Sequence, residues 1–252
     1  MDSQAAVAHS TAPGHEHPAF LRHHFETVAQ QRESASFGMW LFLLTEIMFF
    51  GGLFMAYLIF RNWFNPAFVA GSHQLSVPLG TANTAILITS GFFMALAVHA
   101  AEVGRKSALV WYLILTTIFG IAFLGVKYVE YHEKWEQSHI PGIKFSIADF
   151  VHPKPDKEGK LRDKPLPVDM AEKTEIYFFL YFAMTGMHAV HMIIGIALLA
   201  WLIVRAHRGE FTGGSPNYVA PIENFGLYWH FLDIVWIFLF PLLYLINLHP
   251  IS

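Results

Sequence analysis

The sequence contains no cysteine and few charged residues, and these two shortages exclude several classes of protein. With no cysteine among its 252 residues, the chain can form no disulfide, no zinc–thiolate site and no cysteine-held iron–sulfur cluster. Asp, Glu, Lys and Arg make up 14% of the residues, whereas an average soluble domain has about 25%. The net charge of −3 is close to zero, which gives no sign of a nucleic-acid partner.

Long apolar runs, by contrast, are abundant. Five runs lie at residues 37–60, 80–101, 108–129, 175–204 and 223–247, and each reaches the roughly 20 residues that a membrane-spanning helix needs. Aromatic residues gather near their ends, where bilayer interfaces favour them. The sequence therefore predicts an all-α integral membrane bundle of five transmembrane helices over residues 37–252. A polar tail without a signal peptide is predicted at 1–36, and a soluble loop at about 130–174.

The distribution of Lys and Arg favours a cytoplasmic N-terminus. The positive residues of the tail and of the two short turns on its side are Arg22, Arg32, Arg105, Lys106, Arg205 and Arg208. The first turn on the other side carries only Arg61, although the long loop carries more positive residues than either. We weight the short loops, which dominate the positive-inside rule. By their positions near helix ends, Arg61, Arg105 and Arg205 are predicted to contact phospholipid headgroups.

Several ionisable residues lie inside the apolar runs, where a charge costs at least a few kcal/mol. Glu46 falls near the middle of the first run and therefore needs a partner. His188 and His191 lie on one side of the fourth helix, so we predict that Glu46 hydrogen-bonds one of them. His230 and Asp233 are predicted to form a second buried pair. Such pairs also occur purely to fix helix packing, and that alternative stays open. Since Glu46 accounts for the histidines, no metal site is expected.

Five segments resemble, in the same order, the helices of subunit III of haem–copper terminal oxidases. They lie at residues 38–50, 82–91, 128–132, 185–195 and 228–236. The first, GMWLFLLTEIMFF, is similar to the family's helix with a buried, carbodiimide-reactive glutamate, which places Glu46 at that position. The last, YWHFLDIVW, is the most specific match. The number of helices is that of the five-helix bacterial form, whereas the mitochondrial form has seven.

The resemblance implies a role without catalysis in this chain. Family members lie against subunit I, which holds the haems and copper, and belong to a complex that also contains subunit II. Cytochrome c is a partner of the family only through this complex. They bind phospholipid in a cleft and support proton uptake into subunit I. The same motifs would suit subunit III of a quinol oxidase or an accessory subunit of a nitric oxide reductase. We therefore expect a multi-pass subunit of a bacterial inner-membrane oxidase, with no cofactor of its own except bound lipid.

Overall fold

The computed structural model describes residues 25, 27–142, 144–153, 164–211 and 219–246, and nearly all of them are helical. The helices are α1 (Val28–Trp63), α2 (Asn65–His73), α3 (Val77–Glu102), α4 (Lys106–Glu136), α5 (Ala148–Val151), α6 (Val168–Glu172), α7 (Thr174–His207) and α8 (Ala220–Phe240), with a π-helical turn at Pro241–Leu245. Two short strands, β1 (His139–Ile140) and β2 (Lys144–Phe145), pair antiparallel between α4 and α5.

Five of these elements are long and apolar enough to cross a membrane: α1, α3, α4, α7 and α8 with its π-turn. The predicted all-α bundle of five transmembrane helices is therefore confirmed. The helices extend beyond the apolar runs that predicted them. Thr27 accepts a hydrogen bond from the Gln30 amide and so caps α1 well before residue 37. Similarly, α4 continues to Glu136, through the start of the predicted loop, and buries Lys127, Glu130 and Lys134 on its inner side.

Consecutive spanning helices run antiparallel, so the bundle has two distinct ends. At the tail end, where α1 begins, Arg32 of α1 makes two hydrogen bonds of 2.8 and 2.9 Å to the Glu223 carboxylate of α8. At the loop end, the connection from α4 to α7 packs on the bundle through β1, β2, α5 and α6. Residues 154–163 of this connection, and residues 1–24 of the predicted tail, lie outside the described residues.

Helix α8 occupies the centre, with α1, α3 and α7 packed around it and α4 joining α3 to α7. Its Trp229 is fully buried between Gly120 of α4 and Gly195 of α7. A Cβ atom on either glycine would lie 3.0 Å from the indole ring, tighter than most side-chain contacts, so glycine allows the close approach without displacing the ring. The indole Nε1 donates to the hydroxyl of Ser90 on α3 at 3.0 Å. One tryptophan thereby aligns four helices at mid-depth.

The connection at the loop end is anchored by aromatic packing around His139. Its imidazole stacks on Phe178 of α7, with ring centroids 5.0 Å apart, and also contacts Phe150 of α5. Burial, together with the nearby positive charge of Lys134, lowers the pKa of His139 to about 4. Because the neutral ring is the form that packs there, His139 is a core residue of the connection.

A short helix that the sequence did not predict, α2, folds back under the loop end of α1. Its Phe68 is fully buried against the rings of Tyr57 and Tyr177. The ammonium group of Lys134 on α4 donates to the carbonyl of Gln74, the residue that follows α2 and caps its C-terminal end. A cation at this position complements the negative end of the helix dipole.

Candidate functional site

The centre of the candidate site is a contact between α1 and α7 at mid-depth. The Nε2 atom of His191 lies 3.1 Å from Oε2 of Glu46, while its Nδ1 atom lies 2.8 Å from the carbonyl oxygen of Met187. A carbonyl oxygen can only accept, so Nδ1 carries a hydrogen. Either Glu46 is then protonated and donates to Nε2, or Nε2 carries that proton and donates to a carboxylate. In both arrangements the two side chains share one proton and are neutral overall.

The surroundings of this pair favour the neutral state. The side chains of Glu46 and His191 are 18% and 11% exposed, and the ring of Phe50 packs against the imidazole. The hydroxyl of Tyr228 donates to the backbone carbonyl of His191 at 2.8 Å, which fixes α7 against α8. Removal of the shared proton would leave one uncompensated charge in an apolar site, at a cost of several kcal/mol.

A groove opens from this pair toward the tail end. It has a volume of about 410 Å³ and is lined mainly by apolar side chains of α1, α7 and α8. His191 and Tyr228 lie on its wall, and Asn224 contributes a polar group nearer the tail end. The groove therefore has the size and polarity to accept part of an acyl chain or another apolar molecule beside the Glu46–His191 pair.

His188 does not belong to this pair, although it precedes His191 by three residues. Its ring is fully buried and lies between Phe123 and Trp236, with ring centroids 5.5 and 5.4 Å away. Neither ring nitrogen has a hydrogen-bond partner among the described residues. Of the two histidines considered in the sequence, the structure brings only His191 to Glu46.

The pair on α8 is looser. His230 Nδ1 and Asp233 Oδ2 are 3.7 Å apart, which is within ion-pair range but longer than a hydrogen bond. Asp233 is 10% exposed and packs directly on Gly91 of α3, whereas His230 is 42% exposed at the bundle surface. Asp233 Oδ1 has no hydrogen-bond partner within the part of the chain that is described.

The three arginines considered as headgroup contacts lie in different environments. The Arg205 guanidinium donates to Glu210 at 2.5 Å and stacks on Trp201, so its charge is already paired. Arg105 lines a cavity of about 220 Å³ at the α3–α4 turn, together with His99 and Tyr112. Arg61 lies in the last turn of α1, at the loop end.

A second polar cluster, at the loop end, was not recognised in the sequence. Lys127 Nζ donates to Glu130 Oε2 at 2.8 Å and to the hydroxyls of Tyr181 and Tyr244, both at 3.2 Å. Tyr244 donates in turn to Glu130 Oε1 at 2.5 Å. The side chains of Lys127 and Glu130 are 3% and 1% exposed. The sign in the sequence is a Lys and a Glu three residues apart where the third apolar run ends, a pattern that is also typical of an ordinary helix end.

The described residues contain no group of three or more His, Asp or Glu side chains close enough to hold a metal ion. His191 uses both ring nitrogens in contacts with Glu46 and Met187. His188 faces two aromatic rings. The chemistry that this geometry supports is proton sharing and the binding of apolar molecules.

Comparisons with known proteins agree with the resemblance of the helices. The sequence profile of the family "Cytochrome c oxidase subunit III" matches residues 16–152 and 170–247. Cytochrome c oxidase subunit 3 of Gallus gallus is 31% identical over 234 residues, covering 89% of this chain and 73% of the relative. The protein of the same name from Thermostichus vulcanus is 32% identical over 217 residues, with 83% and 86% covered. This five-helix chain belongs to the cytochrome c oxidase subunit III family.

Proposed function

We propose that this chain is the non-catalytic subunit III of an aerobic respiratory oxidase in a bacterial inner membrane. In that role it stabilises subunit I, orders phospholipid and keeps proton uptake fast enough for sustained turnover. The observation that carries the proposal is the Glu46–His191 pair, which shares one proton at mid-depth and opens on an apolar groove. The haems and copper belong to subunits I and II, and electrons do not pass through this chain.

The names of the relatives favour cytochrome c as the electron donor of the complex, since each is a cytochrome c oxidase subunit 3. Subunit III of a quinol oxidase and an accessory subunit of a nitric oxide reductase are the alternatives. The same family assignment supports a multi-pass arrangement in the membrane with the N-terminus in the cytoplasm. The tail end, the groove and the Arg32–Glu223 pair then face the side from which protons are taken up.

Glu46 acts in this proposal through its exchangeable proton and not through its volume. Because the pair is neutral with the proton present, a proton that leaves toward the catalytic subunit must be replaced before the site is stable again. The pair is therefore unstable while it lacks this proton, and it takes up a new proton after each exchange. The apolar groove limits the access of water and provides a place for a lipid chain beside the pair.

The test is Glu46→Gln in the assembled oxidase. A glutamine amide can donate to His191 Nε2, so packing and assembly are kept while the exchangeable proton is lost. We expect a normal haem spectrum, slower proton uptake and earlier inactivation during turnover. The matched control is Glu33→Gln, an exposed residue of the same helix. If Glu46→Gln matches the wild type in proton uptake and in turnover lifetime, the carboxyl only fixes the helices.

A further inference from the structure

The helices around α8 form an incomplete ring. Helix α1 packs on α7, α7 on α4 and α4 on α3, but α1 and α3 make no substantial contact among the described residues. The surface of α8 between them is left uncovered, and we call it the α1/α3 opening. Its residues on α8 are His230, Ile234, Ile237 and Phe238, of which the last three are 52%, 45% and 61% exposed. This side of α8 is opposite to the side that lines the groove.

The α1/α3 opening differs from the outward sides of α4 and α7 in carrying an ionisable group at mid-depth. His230 lies ten residues after the start of α8 at Ala220 and fifteen before the end of the span at Leu245. On the outward sides of α4 and α7, the described residues 107–126 and 176–204 expose no Asp, Glu, Lys, Arg or His. Those sides present side chains such as Ile121 and Ile193, which suit lipid.

Acyl chains cannot satisfy a half-exposed histidine at this depth. Hydrocarbon offers no hydrogen-bond partner, so an open polar nitrogen there costs several kcal/mol. His230 Nδ1 is directed toward Asp233 Oδ2. With Nδ1 on the Asp233 side, 3.7 Å from Oδ2, the ring nitrogen left for an outside partner is Nε2, which carries a hydrogen in the imidazolium and in the Nε2–H tautomer. In both of these forms Nε2 offers a hydrogen-bond donor to a partner outside the bundle.

We propose that the α1/α3 opening is the docking surface for a transmembrane helix of the catalytic subunit, and that this helix presents an oxygen acceptor to His230 at mid-depth. The acceptor is a side-chain oxygen such as that of Ser, Thr, Asn or Gln, or a carbonyl freed at a helix break. The Asp233 carboxylate lies within ion-pair range of His230, and Gly91 leaves room for it there, because a Cβ at position 91 would overlap the carboxylate. This assignment rests on the proposed function, since it deepens the contact with subunit I.

Photocrosslinking in the intact membrane tests which surface is covered by protein. The photoreactive residue p-benzoylphenylalanine replaces Ile234 in the α1/α3 opening or, as the matched control, Ile193 on the outward side of α7; these isoleucines are 52% and 57% exposed. We expect Ile234 to give an adduct with a haem-bearing polypeptide and Ile193 to give adducts with lipid. Lipid adducts alone at Ile234, in a preparation that still carries haem, overturn the docking surface and leave the proposed function intact.

A second pair of variants tests the chemistry of the contact. Glutamine at position 230 can present an N–H close to the place of Nε2, whereas leucine cannot. His230→Leu is expected to weaken retention of the haem-bearing partner during detergent washing by roughly 3-fold to 20-fold, the range for one interhelical hydrogen bond. His230→Gln is expected to retain it. Equal retention in both variants overturns the assignment of a hydrogen-bond acceptor, and a wild-type chain that retains no haem at all overturns the proposed function instead.

Discussion

The bundle holds two buried acid–base contacts that are built in different ways. At the loop end, Lys127 and Glu130 form an ion pair in which all three ammonium hydrogens and both carboxylate oxygens have partners. At mid-depth, Glu46 and His191 share a single proton beside an open groove. The first contact is closed and fully satisfied, whereas the second is partly exposed and can exchange its proton.

Under the proposed function, this difference separates a contact that only stabilises the fold from one that takes part in proton exchange. Lys127 also lies close to the faces of several aromatic rings, including Tyr131 and Trp236 at 5.2 and 5.3 Å. A charge so enclosed cannot leave or change without loss of stability, so the pair fixes α4, α7 and the π-turn together. The Glu46–His191 pair is held by fewer contacts and meets a groove, as expected for a group that takes part in exchange.

The largest effect is expected for Glu130→Gln, because the variant leaves the buried ammonium of Lys127 without its counter-charge. Removal of one partner from a buried ion pair costs about 3–5 kcal/mol. Thermal unfolding in detergent, followed by circular dichroism, should show a lowered transition. Glu136→Gln, at an exposed position of the same helix, should leave it unchanged. A double variant, Lys127→Met with Glu130→Leu, should recover most of the loss; if it does not, the aromatic surroundings and not the charges dominate.

A smaller effect is expected for Glu46→Leu. Leucine keeps the apolar packing but leaves His191 Nε2 without a partner, which costs about 1–3 kcal/mol. The same thermal measurement compares it with Glu46→Gln, whose amide still donates. If Glu46 and His191 share a proton, the thermal transition of Glu46→Leu should lie clearly below that of Glu46→Gln. Identical transitions would count against the shared proton.

The connection at the loop end should respond to pH through His139. The pKa of His139 is lowered by burial to about 4 from its ordinary value of 6.5. The unfolded connection therefore binds a proton below about pH 6.5, whereas the folded one does so only near pH 4. Stability of the connection falls as the pH drops from 6.5 to 4 and changes little outside that window.

Limited proteolysis between α4 and α7 as a function of pH measures this response, because the effect is confined to the connection. His139→Phe is the control, since phenylalanine preserves the stacking on Phe178 but cannot titrate. Cleavage should rise toward pH 4 in the wild type and stay flat in the variant. The same pH dependence in both proteins would place the titrating group elsewhere.

The smallest effect is expected for Tyr228→Phe. The carbonyl of His191 loses the Tyr228 hydroxyl but still accepts the helical hydrogen bond from Gly195, so about 0.5–1.5 kcal/mol is at stake. Tyr177→Phe, which removes a hydroxyl donor to the carbonyl of Leu243 in the π-turn at the loop end, is the matched variant. The thermal transition of Tyr177→Phe should fall further than that of Tyr228→Phe, because Tyr177 is fully buried at the loop end.

Hydropathy was sufficient for the five spans because each apolar run is long enough to cross a bilayer and has no alternative environment. Counting residues along antiparallel helices also placed Glu46 at about the same membrane depth as the two histidines of α7. It could not choose between His188 and His191, since these residues differ only in the direction in which they leave the helix. That choice depends on the rotation of α7, which is set by the packing of Trp229 against Gly195.

The loop-end cluster and the α1/α3 opening depend on contacts between distant segments, and local patterns do not report them. In the sequence, Lys127 and Glu130 resemble a polar helix end. The cluster exists only because Tyr181 and Tyr244, which lie on two other helical segments, contact Lys127 in the folded chain. Helix α2 was missed for a related reason: its nine residues carry too weak a signal, and it is held by burial of Phe68 under α1 and α7. In each case tertiary packing decided what the local sequence left open.

The short distance across the Glu46–His191 contact bears on how the protein responds to membrane voltage. The donor and acceptor atoms are 3.1 Å apart, about a tenth of a hydrocarbon core of roughly 30 Å. Transfer of one elementary charge across the whole membrane changes the energy by about 2.3 kcal/mol per 100 mV. A proton that moves between carboxyl and imidazole therefore experiences at most about 0.2 kcal/mol per 100 mV, which is less than thermal energy. An energised membrane should thus leave the proton position in this pair nearly unchanged.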